Sequence, residues 1–279
     1  MYISVKEKIV ADTPESRQLD LIREQFTESA KSFGDYALAG RVSEGEKLAN
    51  LATADAKDSA NWRALDVACG PGTFSRALAR RMRFVTCLDL TPVLLQRALI
   101  AVGEVSAESS TTSAFACGDG NHMPFADDSF DLAICGYSIH HMLHPGRVIS
   151  ELERVVRPGG RIALVDMVIR DAAHRAEHTR IERARDPSHC ETLTEEEIRE
   201  MLKGASLRVR ASELVERTRN FDQWMKAMNV PPGTAAYAET RRLLMESMKN
   251  DSPGMRPRIS PEGQLEYSLP SLYIVADKP

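Results

Sequence analysis

The sequence has no usable cysteine pattern. Its five cysteines (Cys69, Cys87, Cys117, Cys135 and Cys190) form no CxxC pair, and an odd number in a chain of this size argues against a disulfide framework. They are read as reduced thiols. Positive charge is not in excess either: 36 Lys and Arg stand against 40 Asp and Glu, a net charge of −4, so there is no electrostatic footprint for nucleic acid. No apolar run approaches the roughly 20 residues a membrane span needs. The opening stretch MYISVKEKIVADTPESRQLD has no apolar segment behind a basic start, so a cytoplasmic protein is expected. Repeats are missing, and low complexity is confined to Ser106–Ser113. What remains is an ordinary folded composition, 43% hydrophobic and 27% charged over 279 residues, enough for one large domain.

Helical spacing dominates the first sixty residues, with Leu19, Leu21, Ile22, Phe26 and Phe33 in one series and Val42, Leu48 and Leu51 in another. No strand is evident before residue 62. Short apolar runs then alternate with helical segments, which implies βαβ units and a parallel sheet. The expected strands are Ala64–Ala68, Phe84–Asp89, Ala114–Gly118, Leu132–Cys135 and Arg161–Asp166. Helices are expected over Thr73–Met82, Thr91–Val102 and Pro145–Val156, the last ended by Arg157-Pro158-Gly159-Gly160. Later segments read as a helix around Ile181, a helix at Thr194–Leu202, a strand near Leu207–Val215, and helices at Phe221–Met228 and Ala236–Met248. A final strand, Ser271–Ala276, is started after Pro270 because proline cannot donate to a ladder.

The most informative stretch is Ala64-Leu65-Asp66-Val67-Ala68-Cys69-Gly70-Pro71-Gly72-Thr73-Phe74-Ser75, a buried strand running into a glycine turn and a helix. Gly70 and Gly72 let backbone approach a ligand where a Cβ would collide, and the helix start offers unpaired N–H groups. That alone says only a nucleotide-like ligand. Acids end the next two strands: Asp89, placed to accept ribose hydroxyls, and Asp119, placed to accept an adenine amino group, with Gly120 beside it. A dinucleotide fingerprint would need Gly or Ala where Ser75 stands, and a P-loop would need Gly-Lys-Ser/Thr after the turn.

With D-V-A-C-G-P-G-T, C-L-D-L, G-D-G-N-H-M-P-F, F-D-L-A-I-C-G and R-P-G-G-R in place, the chain resembles the class I S-adenosylmethionine-dependent methyltransferases. Within them it is similar to the ubiquinone/menaquinone-biosynthesis C-methyltransferases. The resemblance covers about residues 20–170, and Arg185-Asp186-Pro187-Ser188-His189 resembles a stretch in uncharacterised bacterial members. It implies a Rossmann-like α/β fold: a seven-stranded sheet, the last strand antiparallel, with helices on both faces. It also implies that S-adenosyl-L-methionine is the cofactor and S-adenosyl-L-homocysteine the product. Asp66, Ala68, Gly70 and Gly72 would hold the methionine part, Asp89 and Leu90 the ribose, Asp119 and Gly120 the adenine, and the backbone near Gly136 the amino group. Residues 1–60 would form a helical lid and 61–279 the methyltransferase domain, with 172–250 contributing a substrate cap.

The loop after the fourth strand carries His140, His141 and His144. Two adjacent histidines do not readily converge on one ion, and no thiolate or carboxylate stands at matching spacing, so no metal is expected. His140 is read instead as facing the cofactor's methyl group, where an imidazole could take a proton from a phenol, enol or amine; the alternative is a packing histidine. His189 is a second candidate, and Tyr36, read in a loop between the N-terminal helices, is a candidate to close over the cofactor. The expected reaction is in-line attack on the sulfonium methyl by a small-molecule acceptor, C- or O-methylation favoured. Phe221, Trp224, Met225, Met228, Leu243, Leu244 and Met248 suggest a hydrophobic, aromatic or isoprenoid acceptor under the cap, although helical spacing also fits plain core. The competing readings are a cofactor-bound enzyme of cyclisation or rearrangement, and a non-catalytic cofactor-binding subunit.

Overall fold

The computed structural model describes residues 12–279; the first eleven residues, which open the expected lid and the stretch read for a leader, lie outside the described residues. Three helices come first, α1 (Pro14–Glu28), α2 (Ala30–Gly40) and α3 (Val42–Thr53). Thr13 starts α1: its hydroxyl accepts from Ser16 N at 3.1 Å, Ser16 Oγ accepts from Thr13 N at 3.0 Å, and Pro14 occupies the turn where no N–H is needed. Only Ser29 separates α1 from α2, so Tyr36 is helical and not in the loop expected for it. Gly34 does not break α2, and its missing Cβ leaves the space that the Arg97 side chain fills.

The alternating region follows as β1 (Arg63–Val67), α4 (Thr73–Ala79), β2 (Phe84–Asp89), α5 (Pro92–Ser109), β3 (Thr112–Cys117), β4 (Phe130–Gly136), α6 (Pro145–Val155) and β5 (Val156–Met167). The remainder is α7 (Arg175–Arg185), α8 (Glu195–Gly204), β6 (Arg208–Asn220), α9 (Phe221–Ala227), α10 (Ala235–Ser247), β7 (Arg258–Ile259) and β8 (Leu265–Asp277). Strand order is β3-β2-β1-β4-β5-β8-β6, with the first five parallel and β8 antiparallel to both its neighbours. The expected seven strands are present, and the two-residue β7 adds an eighth on β8.

Two boundaries differ from expectation for identifiable reasons. β5 begins at Val156, which pairs with Phe130; a register shift then carries Arg157–Gly160 out of the ladder until Arg161 pairs with Leu132. β8 runs straight through Pro270. The Pro270 carbonyl accepts from Val168 N at 3.0 Å, just past the end of β5, so its nitrogen faces a place where no ladder bond is required.

Side chains of β1 alternate between two cores. Ala64 faces α3, α4 and α5 with Leu48, Leu78 and Leu95, while Leu65 and Val67 face α6 and α8 with Leu152 and Ile198. Each fully buried aliphatic residue contributes about 1.5–3 kcal/mol. A third cluster joins Phe221, Trp224, Met225, Leu243 and Leu244 to Ile181 and Tyr267, so α9 and α10 are anchored on α7 and β8. Because β1 to β5 are parallel, their carboxyl ends open on one edge, and α1 and α2 lie across it.

Candidate functional site

The cleft at this edge encloses about 1190 Å³, mouth included. Its floor is the turn after β1. Ala68, Gly70 and Gly72 all have positive φ (54°, 54° and 93°), which folds the chain sharply before α4 begins at Thr73. A Cβ on Gly72 would meet Val102 Cγ2 at 2.9 Å and Ala98 Cα at 3.2 Å, so this glycine lets the turn press on α5. The turn is tied to the neighbouring strand end. Asp89 Oδ2 accepts from Gly70 N at 2.7 Å, and Oδ1 accepts from Thr91 N at 2.8 Å. Behind the floor, fully buried Asp66 accepts from Ser75 Oγ at 2.5 Å through Oδ2, while Oδ1 has no partner.

Burial raises the pKa of both acids, Asp66 to about 7 and Asp89 to about 6. Two buried acids with no Lys or Arg partner among the described residues suit a positively charged ligand. At the third strand end Asp119 Oδ1 accepts from Asn121 N at 2.9 Å and from Asn121 Nδ2 at 2.8 Å. At the fourth, Gly136 lacks a Cβ where the Phe74 ring lies, and Tyr137 follows with φ 51°.

Of the residues expected to hold a cofactor, Ala68, Gly70, Asp89, Leu90, Asp119, Gly120 and Gly136 line this one cleft. Asp66 and Gly72 lie beneath it. Tyr36 lines a neighbouring groove with Lys31, Asp35, Gln223 and Lys226, and its ring centroid lies 5.3 Å from the guanidinium of Arg41 in the cleft wall. His140 does not line the cleft. Its Nδ1 is 2.7 Å from Asp166 Oδ1, its backbone N donates to Asp166 Oδ2 at 3.2 Å, and its ring packs on His189 with centroids 5.4 Å apart. His189 is buried farther in, near His178 at 6.2 Å. Burial lowers the pKa of both His189 and His178, because a buried ring is poorly solvated when charged. Among the described residues no three His, Cys, Asp or Glu are placed to hold a metal ion.

The residue in the wall is His141, one position on, with its ring 4.3 Å from that of His140. Sequence reasoning passed over it, and also over Arg41 and Gln18. The Arg41 guanidinium lies 4.2 Å over the Tyr137 ring and 3.8 Å from Glu44, in the cleft wall that also carries Gly136. Gln18 Nε2 donates to the carbonyls of His141 at 2.9 Å and Ser188 at 2.7 Å, fastening α1 to the cleft wall. Gln18 had no local signal, since its partners are distant in sequence, and the approach of Arg41 to Tyr137 joins segments 96 residues apart.

Phe221, Trp224, Met225, Leu243 and Leu244, considered for the acceptor pocket, fill the core under α9 and α10 instead. Met228 packs with Phe26, Ala30 and Leu94, and Met248 is 39% exposed. The apolar wall of the cleft comes from Leu19, Ile22, Phe26, Met142 and Leu143.

Residues 65–164 match the family described as "Methyltransferase domain". The chain is 27% identical over 207 residues to the uncharacterized methyltransferase YcgJ of Bacillus subtilis (strain 168), covering 74% of this chain and 79% of that one. It is 34% identical over 107 residues to the demethylmenaquinone methyltransferase of Clavibacter sepedonicus, of which it spans 42% while 38% of this chain is covered. The solved structure of BH2331 from Bacillus halodurans C-125 superposes with a TM-score of 0.73 at 26% identity, covering 85% of this chain and 99% of that one.

Proposed function

We propose that the chain is a class I S-adenosylmethionine-dependent methyltransferase that transfers the cofactor's methyl group to a small-molecule acceptor bound under α1, at oxygen or carbon; the match of residues 65–164 to the methyltransferase domain family and the likeness of fold support this reading. The observation that carries this reading is the convergence of Gly70, Asp89, Asp119 and Gly136 on a single cleft from four strand ends. The cleft fits the cofactor. The Gly70 turn leaves room for backbone approach, buried Asp66 Oδ1 lacks a partner, and the two acids held above their ordinary range gain from a cationic ligand. When bound, the cofactor supplies an already activated methyl carbon, so the protein's work is to orient, exclude water and accept a proton.

In this reading Asp89 holds the ribose, Asp119 and Gly120 the adenine, and the turn from Ala68 to Gly72, with Asp66 behind it, the methionine part. Arg41, in the cleft wall beside Gly136, would hold the carboxylate of that part. The helices over 12–53 act as the lid, while residues 172–250 lie behind the cleft wall, where Ser188 and Cys190 hold His141 and His140. His140, pinned by Asp166, and His189, packed against it, form the buried backing of the wall that carries His141. The apolar wall favours an acceptor with a hydrophobic or aromatic body.

Calorimetric titration with S-adenosylmethionine tests the site. Loss of the charge-assisted bonds in Asp89→Ala should weaken binding about 10- to 100-fold, at roughly 1.5–3 kcal/mol for a hydrogen bond to a charged group. Asp119→Ala should act in the same direction, and unchanged affinity in both variants would remove the basis for this reading. Release of S-adenosylhomocysteine on turnover identifies methyl transfer; turnover without it would identify a rearrangement.

A further inference from the structure

Helix α5 carries the two most exposed large apolar side chains among the described residues, Ile100 at 64% and Leu99 at 53%. Its inner face is spent on the core, where Leu94, Leu95, Ala98, Ala101, Val102 and Val105 are buried. At about 100° per residue the opposite face consists of Gln96, Leu99, Ile100, Gly103 and Ala107, all exposed and none charged. A surface helix ordinarily turns charge to water there. Residues 96, 100, 103 and 107 step by four, three and four, the repeat by which one helix packs along another. A Cβ on Gly103 would meet nothing within 4 Å, so this position is an open socket one turn beyond Ile100.

The face fits itself. Its bulk lies in one half, at Gln96, Leu99 and Ile100, and its small residues in the other, at Gly103 and Ala107. One flank of the helix repeats this division in charge. Arg97 stands in the bulky half, with Nη2 donating to Asp35 at 2.6 Å and a buried Nε that has no hydrogen-bond partner. Glu104 and Glu108 stand in the small half, exposed and without an ion-pair partner among the described residues. A two-fold axis lying across the helix runs two copies antiparallel and keeps each flank on its own side, so bulk meets socket and Arg97 of each copy approaches Glu104 of the other. A parallel pair would set bulk on bulk and acid on acid. The same flank argues against a lipid surface, because helices that lie on membranes carry Lys and Arg beside their apolar face rather than glutamates. We propose that this face of α5 is a dimer interface, with Ile100 of one copy seated over Gly103 of a second copy and Gln96 over Ala107. One helix pair falls short of the roughly 800 Å² per partner of a standard interface, so the association is reversible, with a dissociation constant on the order of 1–100 µM. The inference goes beyond the methyl-transfer reading and does not depend on it, since neither Ile100 nor Gly103 lines the cleft.

Sedimentation velocity of the full chain, from about 2 to 500 µM, should show a monomer passing into a dimer as concentration rises. Gly103→Gln fills the socket and should weaken the dimer at least about tenfold. The same change should leave the melting temperature unchanged or higher, because glutamine is the better helix former, so a lost dimer cannot be put down to a failed fold. Ile100→Glu should weaken the dimer by a similar factor. Glu104→Arg sets like charge against Arg97 of the second copy and should weaken it about three- to tenfold at low salt, and less when salt screens the pair. Copies carrying Gln96→Cys mixed with copies carrying Ala107→Cys should form a disulfide between them under mild oxidation, which neither variant forms alone. A monomer at every concentration, a dimer untouched by Gly103→Gln and Ile100→Glu, or a disulfide among Gln96→Cys copies alone would overturn the proposal. Binding to vesicles of phosphatidylcholine and phosphatidylglycerol that is lost in Ile100→Glu would overturn it too, and would give the face to lipid.

Discussion

Replacing Gly72 with alanine should destabilise the domain by about 2–5 kcal/mol, and the geometry says where the cost arises. The backbone at Gly72 has φ 93°, a conformation that costs a residue with a Cβ roughly 1–2 kcal/mol. The added carbon would also lie 2.9 Å from Val102 Cγ2 and 3.2 Å from Ala98 Cα, against an optimum of about 3.5–4.0 Å between carbons. Ala98 Cα is backbone and cannot rotate away, so α5 must shift, at about 1–3 kcal/mol for overpacking. Val102→Ala removes one of the two clashes. Alone it should destabilise, since Val102 is fully buried, but in the Gly72→Ala background it should cost far less, leaving a coupling of about 1–2 kcal/mol. Urea unfolding of wild type, both single variants and the double variant measures this directly. Additivity within about 0.5 kcal/mol would refute the contact as the reason for the glycine.

Two further outcomes follow from the site. Asp66 holds its proton up to about pH 7 in the folded chain, whereas the unfolded chain releases it near pH 4. Between those values the native state binds more protons, so the ligand-free protein should lose stability as pH rises, up to roughly 4 kcal/mol by about pH 8, and Asp66→Asn should flatten that slope; parallel stability curves for the two proteins would contradict it. Gln18→Leu removes two hydrogen bonds to the wall, worth about 0.5–1.5 kcal/mol each, and should speed amide exchange in α1 by about 5- to 100-fold with little change in the sheet. Unaltered protection in α1 would mean that packing of Ile22 and Phe26 alone holds α1.

How much of this could be read in advance depended on the range of the forces involved. The turn at Gly70 and Gly72 and the acids at Asp89 and Asp119 are local signals, because a strand end, a positive φ and a helix start fall within a few residues of one another. His140 and His141 could not be separated this way. They sit in a single 3-10 turn, Ile139–His141, where one step rotates a side chain by about a third of a turn. Which ring meets the cleft was settled by Asp166 drawing His140 inward and by Ser188, 47 residues on, holding His141 in the wall. Trp224 and its neighbours carried a true signal of burial, but apolar spacing does not say against what, and Tyr267 and Ile181 were the answer.

The order of elements, the parallel sheet and the strand ends that meet at the cleft were determined by the linear chain itself, since periodicity, glycine placement and strand-end acids act over short stretches. The identity of the wall histidine, the fastening of α1 by Gln18 and the strand through Pro270 were decided only in three dimensions. Each depends on a donor, an acceptor or a free sheet edge contributed by a remote segment, and burial is what makes such a partner obligatory.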